Sequence, residues 1–109
     1  MAEIIELTES NFERYVIQSE DCIMVDFYAD WCGPCKMMAP VLEEFTRDHE
    51  TFRVGKVDVD RYPELAQEFH VMSVPTFLLF CDGRVKARVS GMMKKKDLED
   101  WAEQMRRKQ

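Results

Sequence analysis

The apolar positions of this chain fall into two patterns. "CIMVDFYA" (residues 22–29) is apolar on both faces but for one acid, as a buried central strand is. From about Pro34 to His49 the apolar residues Met37, Met38, Val41, Leu42 and Phe45 recur at helical spacing. Pro40 interrupts that stretch, removing a backbone donor and crowding the carbonyl of Lys36, so a kink is predicted. "IIEL" (4–7) reads as a short strand, and Thr8 or Ser10 as the cap of a helix reaching about Ile17, with Ser10 and Glu13 spaced as a capping box. "FRVGKVDV" (52–59) is a further strand, and "RYPELAQEFH" (61–70) a short helix with Pro63 in its first turn. Residues 75–91 read as two strands joined at Asp82-Gly83, a strong hairpin signal. Leu98, Trp101, Ala102 and Met105 give the last helix one buried face.

The predicted order is βαβαβαββα. Helices interleaved with the first strands imply parallel pairing, and the closing hairpin adds antiparallel strands. This is an α/β fold, a mixed central sheet with helices on both faces, in one domain over residues 1–109.

Composition sets the surroundings. At 109 residues the chain suits one core, and 46% hydrophobic with 33% charged residues is the balance of a soluble globular protein. No apolar stretch approaches the roughly 20 residues of a membrane span. The N-terminal "MAEIIELTES" lacks the basic and apolar regions of a secretory signal, so a cytoplasmic, monomeric protein is expected. Structural disulfides are rare there, and reduced thiols are the expectation for all four cysteines. A net charge of −6 argues against nucleic acid as the main partner. The charge is uneven: residues 1–21 hold six acids and one arginine, residues 94–108 six bases and four acids. Lys94–Lys96 stand at a helix start, against the macrodipole, as a solvated rim or a partner-steering patch.

The chemistry gathers at "WCGPC" (31–35), where the central strand gives way to a helix. Cys32 and Cys35, at i and i+3, lie on one face and close enough to bridge. Cys32 sits beside the free N–H groups of the first turn, whose partial positive charge favours a thiolate. Pro34 suits that turn, Gly33 leaves the approach to Cys32 open, and Cys35, one turn in, is expected to be shielded and to keep its proton. One sulfur attacks and the other resolves. A structural metal site would need a second CxxC or a histidine pair; Cys22, Cys81, His49 and His70 supply neither, so no metal is expected. A permanent staple closing a two-residue loop would constrain almost nothing. Cys22 and Cys81 read as small buried hydrophobes.

"VDFYADWCGPCKMMAPVLEEF", followed by "VDVD", "VMSVPTFLLFCDG" and a late "SGM", resembles the thioredoxin family over essentially the whole chain. The full WCGPCK, a Val-Pro-Thr about forty residues later and a Gly after the last strand are a specific combination. The resemblance implies a thioredoxin fold and a general protein-disulfide reductase. Its redox-active disulfide would be Cys32–Cys35, with no bound cofactor, and thioredoxin reductase would recharge it from NADPH. Disulfide-containing client proteins would be its partners. A redox-dependent binding subunit of a larger complex, or a thiol oxidase or isomerase, are the alternatives.

Residue by residue, the resemblance makes Cys32 the nucleophile and Cys35 the resolving thiol. Asp26 matches the family's buried carboxylate, a proton acceptor for Cys35, and Lys56 a lysine that tunes it. Its place between Val25 and Phe27 independently argues that Asp26 is buried, with a raised pKa. Trp31 covers one side of the pair, beside Gly33 and Pro34. Pro75 corresponds to a proline that is cis in the family, presenting the backbone of Val74 to substrate. Gly91 and Met92 match the loop completing an apolar groove. Tyr28 stands where many members have tryptophan, and altered packing near Asp26 is expected.

Overall fold

The computed structural model describes residues 3–108. Five strands, β1 (Ile4–Glu6), β2 (Ile23–Tyr28), β3 (Arg53–Asp58), β4 (Thr76–Cys81) and β5 (Arg84–Ser90), form one sheet in the order β1-β3-β2-β4-β5. β3 pairs in parallel with β1 and β2, while β4 runs antiparallel to both β2 and β5. The helices are α1 (Gly33–Asp48), α2 (Pro63–Glu68) and α3 (Lys95–Arg107), with a short helical segment over Glu13–Ile17. Among the described residues, no helix is long and apolar enough to cross a membrane.

The central strand explains the two-sided core. Along β2, successive side chains point to opposite faces. Ile23, Val25 and Phe27 pack with Leu7, Phe12, Val16, Leu65, Leu78 and Phe80 on one side. Met24 faces the other side, with Val54, Phe77 and Leu79 from the sheet, Met38, Leu42 and Phe45 from α1, and Leu98 and Ala102 from α3. Fully burying each large apolar side chain contributes about 1.5–3 kcal/mol, and β2 supplies five residues with almost no exposed surface, Ile23, Met24, Val25, Phe27 and, less comfortably, Asp26.

Local detail departs from the sequence reading in several places. The first helical segment has no side-chain cap, and Ser10 and Glu13 do not form a capping box. Thr8 and Asn11 bond reciprocally instead: Thr8 N–H donates to Asn11 Oδ1 at 2.7 Å and Asn11 N–H to Thr8 Oγ1 at 3.2 Å. The chain then makes a wide turn, closed by Gln18 N–H on the Glu13 carbonyl at 2.9 Å. α1 runs through Pro40 from Gly33 to Asp48. The lysines opening α3 are matched by acids: Lys95 pairs with Asp48 and Glu44 at the end of α1, and Lys96 with Asp100. These contacts offset the unfavourable end of the helix dipole.

The larger correction concerns Cys22 and Cys81. They are neither fully buried hydrophobes nor free thiols, but a disulfide with Cα atoms 4.2 Å apart, 59 positions apart in sequence. Pairing of Ile23 with Phe80 makes Cys22 and Cys81 the next facing pair outward, where Cβ atoms of antiparallel strands approach most closely.

At the β4–β5 turn, Asp82 and Gly83 both adopt positive φ, 54° and 75°, as a two-residue hairpin turn requires. The turn also docks against the first helical segment, so a Cβ on Gly83 would lie 2.2 Å from the Ile17 carbonyl oxygen. Gly83→Ala should therefore destabilise the fold by about 2 kcal/mol or more. Urea unfolding checks this, with Asp82→Gly, which needs no new space, expected to stay close to wild type.

Candidate functional site

β2 ends at Tyr28, and Cys32 forms the N-cap of α1 with extended backbone. Its Sγ accepts the N–H of Cys35 at 3.2 Å, the bond that an N-cap side chain makes to an otherwise orphaned donor. Pro34 stands in the first turn, where its missing N–H costs nothing. Cys32 and Cys35 are joined as a disulfide, with Cα atoms 5.3 Å apart. Nothing lies within 4 Å of the place a Gly33 side chain would take, so that flank is open. The pair itself is less accessible than that opening suggests: Cys32 is 3% and Cys35 7% exposed. Burial therefore does not distinguish the two sulfurs; their neighbours do.

Cys32 faces the loop before β4. Its Sγ lies 3.7 Å from the Val74 carbonyl oxygen, and the Val74–Pro75 peptide bond is cis. Thr76 Oγ1 donates to the Ser73 carbonyl at 2.7 Å and also meets Ser90 Oγ at 2.8 Å. Gly91, at φ +98°, donates its N–H to the Pro75 carbonyl at 2.9 Å. The loop is thus pinned from both sides, and Val74 is held against the sulfur.

Close in sequence to Cys32, Val74 and Gly91 stand exposed apolar side chains. Trp31 is 70% exposed, and its indole N–H donates to Asp60 at 2.8 Å. Met72, two residues before Val74, is 93% exposed. Met92 is half exposed and lines a shallow depression with Met37, Val41 and Met93.

Cys35 faces inward instead. It lines a mostly apolar cavity of about 190 Å³, walled also by Ile4, Ala39 and Leu42, into which Asp26, Tyr28, Lys56, Lys36 and Glu43 bring polar groups, and it is large enough for water. Asp26 is 4% exposed, and its Oδ1 has no hydrogen-bond partner. Burial pushes its pKa up to about 7, against a smaller opposing pull from Lys56. Lys56 sits beside Asp26 in the β2–β3 register, yet its ammonium lies 3.7 Å from Glu6 and 5.4 Å above the Tyr28 ring. The Tyr28 hydroxyl donates to the same Glu6 at 3.3 Å. Burial and the nearby Glu6 and Asp58 charges push the Tyr28 pKa up. Beside Asp26, then, Glu6 shares the cation that pulls its pKa down.

Glu6, Asp60 and Met72 were not among the residues expected from sequence. Glu6 acts from 22 positions before Tyr28, and Asp60 from 29 positions after Trp31. A strand-end acid and a loop acid carry no local mark of such partners. Met72 did have a signal, an apolar residue in a loop flanked by Ser73.

A sequence model of the family described as Thioredoxin matches residues 3–104. The thioredoxin of Alicyclobacillus acidocaldarius is 47% identical over 94 residues, covering 85% of this chain and 89% of that protein. The thioredoxin of Mycobacterium tuberculosis is 48% identical over 88 residues, covering 80% and 76%. A bifunctional thioredoxin reductase/thioredoxin of Mycobacterium leprae is 46% identical over 101 residues, 88% of this chain and 22% of the larger protein.

The raised pKa of Asp26 makes stability depend on pH. The unfolded carboxyl ionises near 3.9, the folded one near 7. Between those values the unfolded state holds fewer protons, so stability falls as pH rises through the window and the full cost is present above it. Asp26→Asn should stabilise the fold by on the order of a few kcal/mol at pH 8. The gain should shrink below pH 7 and vanish near pH 4. Urea midpoints of both proteins across that range check the sign; an Asp26→Asn protein less stable at pH 8 would contradict it.

Proposed function

The chain belongs to the thioredoxin family of thiol–disulfide oxidoreductases, and we propose that it works as a general protein-disulfide reductase recharged by an NADPH-dependent thioredoxin reductase. The observation that carries this reading is the asymmetric setting of one bridged pair. Cys32 faces a pinned backbone carbonyl and exposed apolar side chains, while Cys35 opens into the cavity of Asp26.

In the dithiol form, the Cys32 thiolate attacks one sulfur of a client disulfide. A mixed disulfide forms, and the other client sulfur leaves and takes a proton. The free first-turn N–H groups of α1 favour that thiolate. The carbonyl of Val74 and its neighbouring backbone receive the client as an adjacent strand would, and Trp31, Met92 and Met72 cover its apolar side chains. Cys35 then passes its proton to Asp26, directly or through water in the shared cavity. An acceptor with a pKa near neutrality suits this transfer. The Cys35 thiolate attacks Cys32 Sγ, the Cys32–Cys35 disulfide forms, and the second client thiol is released. Two electrons and two protons have moved to the client.

Lys56 tunes Asp26 in this scheme, and Glu6 moderates Lys56. Reducing equivalents arrive from a separate protein, so no bound cofactor is invoked. The fused M. leprae relative, named for both units, supports the pairing with a reductase. The reading takes the chain as a cytoplasmic monomer acting on disulfide-containing proteins.

NADPH oxidation, followed by absorbance with a thioredoxin reductase and insulin as the disulfide, tests the function. Cys32→Ser should lower turnover by at least about a thousandfold. Cys35→Ser should accumulate mixed disulfides with the client, visible on non-reducing gels. Normal turnover by Cys32→Ser would sink the assignment of the nucleophile.

A further inference from the structure

Cys22 and Cys81 lie at the end of the sheet remote from Cys32, one just before β2 and the other closing β4. We propose that they form a second thiol–disulfide exchange site, reduced by the Cys32–Cys35 dithiol of a second copy of this chain; the inference rests on the reductase reading above.

The fold itself brings the pair together. Ile23 faces Phe80 in the antiparallel register, so the next residues outward, Cys22 and Cys81, face each other and are bonded. Unlike their neighbours Ile23 and Phe80, which have almost no exposed surface, both cysteines are partly exposed. The bond therefore lies at the margin of the core and is not sealed within it, as attack by an incoming thiolate requires.

The surroundings favour exchange. Cys81 lines a surface depression with Arg84, Lys86 and Lys108, against a single acid, Asp82. Those cations attract an approaching thiolate and stabilise a departing one. Val85 in the same depression is exposed.

The electrons have to come from another molecule. Cys22 and Cys32 are separated by the whole of β2, and an extended strand rises about 3.3 Å per residue, which keeps the two disulfides on the order of 20 Å apart. A second copy offers a matching face. Beside its Cys32 are exposed Trp31 and the exposed carboxylates Asp30 and Asp60, one of them fixed by the indole N–H. Asp30 and Asp60 beside an exposed tryptophan complement Arg84, Lys86 and Lys108 beside an exposed valine, so a head-to-tail encounter is favoured on the Cys81 side of the bond, away from Glu20 and Asp21 next to Cys22.

The exchange balances without any other reagent. The Cys32 thiolate of the donor copy attacks one sulfur of the Cys22–Cys81 bond, which breaks, and the expelled sulfur takes a proton. Cys35 of the donor loses its proton and attacks Cys32, releasing the second thiol. The donor ends as the Cys32–Cys35 disulfide, and the acceptor gains two electrons and two protons as the Cys22/Cys81 dithiol. The chain is then a client of its own kind.

Two arms test this. In the first, the donor is C22S/C35S/C81S, whose only cysteine is Cys32, and the acceptor is C32S/C35S, purified without reductant. A dithiothreitol-sensitive dimer whose peptides join Cys32 to Cys22 or Cys81 is expected. In the second, reduced C22S/C81S acts on oxidised wild-type chain, with insulin in the same tube. Alkylation of the Cys22 and Cys81 peptides, read by mass spectrometry, should proceed on the order of tenfold faster than with glutathione at equal thiol concentration. This arm decides the matter should C32S/C35S fail to fold. The proposal is overturned if Cys22 and Cys81 remain free thiols after treatment with oxidised glutathione. It is also overturned if the pair stays bonded while insulin is reduced, a result that leaves the reductase reading intact. Failure to reduce insulin as well would bring down both.

Discussion

Strand β2 is hydrogen-bonded along both edges and buried on both faces, and the candidate site is arranged around it. Cys22 precedes it, Asp26 stands in its middle, Tyr28 ends it, and the turn that follows delivers Cys32 to the start of α1. A strand held in this way has no register to slip into, because a shift by one residue would turn Ile23, Val25 and Phe27 out of one core and Met24 out of the other. The chemistry inherits that rigidity.

The cost is concentrated at Asp26. A carboxylate in the middle of such a strand loses its water, and Lys56, the cation that pulls against this, is shared with Glu6 and leans over Tyr28. An apolar residue there would suit the core better. Desolvation, however, is what brings the group's proton affinity close to neutrality, and the cavity it shares with Cys35 gives that proton somewhere to come from. Stability is given up at the position to which the proposed mechanism assigns a proton transfer.

The two disulfides divide along the same strand. Cys32–Cys35 is a local pair, three residues apart, formed by the geometry of a helix start. Cys22–Cys81 is a tertiary pair, formed because β2 and β4 are antiparallel neighbours. The first lies under an acidic rim with an exposed tryptophan, the second beside a basic one.

Much of this was legible in residues 1–109 alone, and for a consistent reason. Element order, the buried run at 22–29, the Asp82-Gly83 turn and the pair at 32 and 35 are carried by signals spanning a few residues: periodicity, turn chemistry and helix-start spacing. The burial of Asp26 was readable from its neighbours Val25 and Phe27. What tertiary structure alone decided is every contact between distant positions. Glu6 found Lys56 and Tyr28, Asp60 found Trp31, and Val74 reached Cys32 from 42 positions away, because β3 and β4 flank β2 and β1 lies next beyond β3. Cys22 and Cys81 looked like isolated small hydrophobes for the same reason: nothing within reach of either one in the chain reveals a partner 59 residues away, and only the pairing of β2 with β4 puts their sulfurs within a bond of each other.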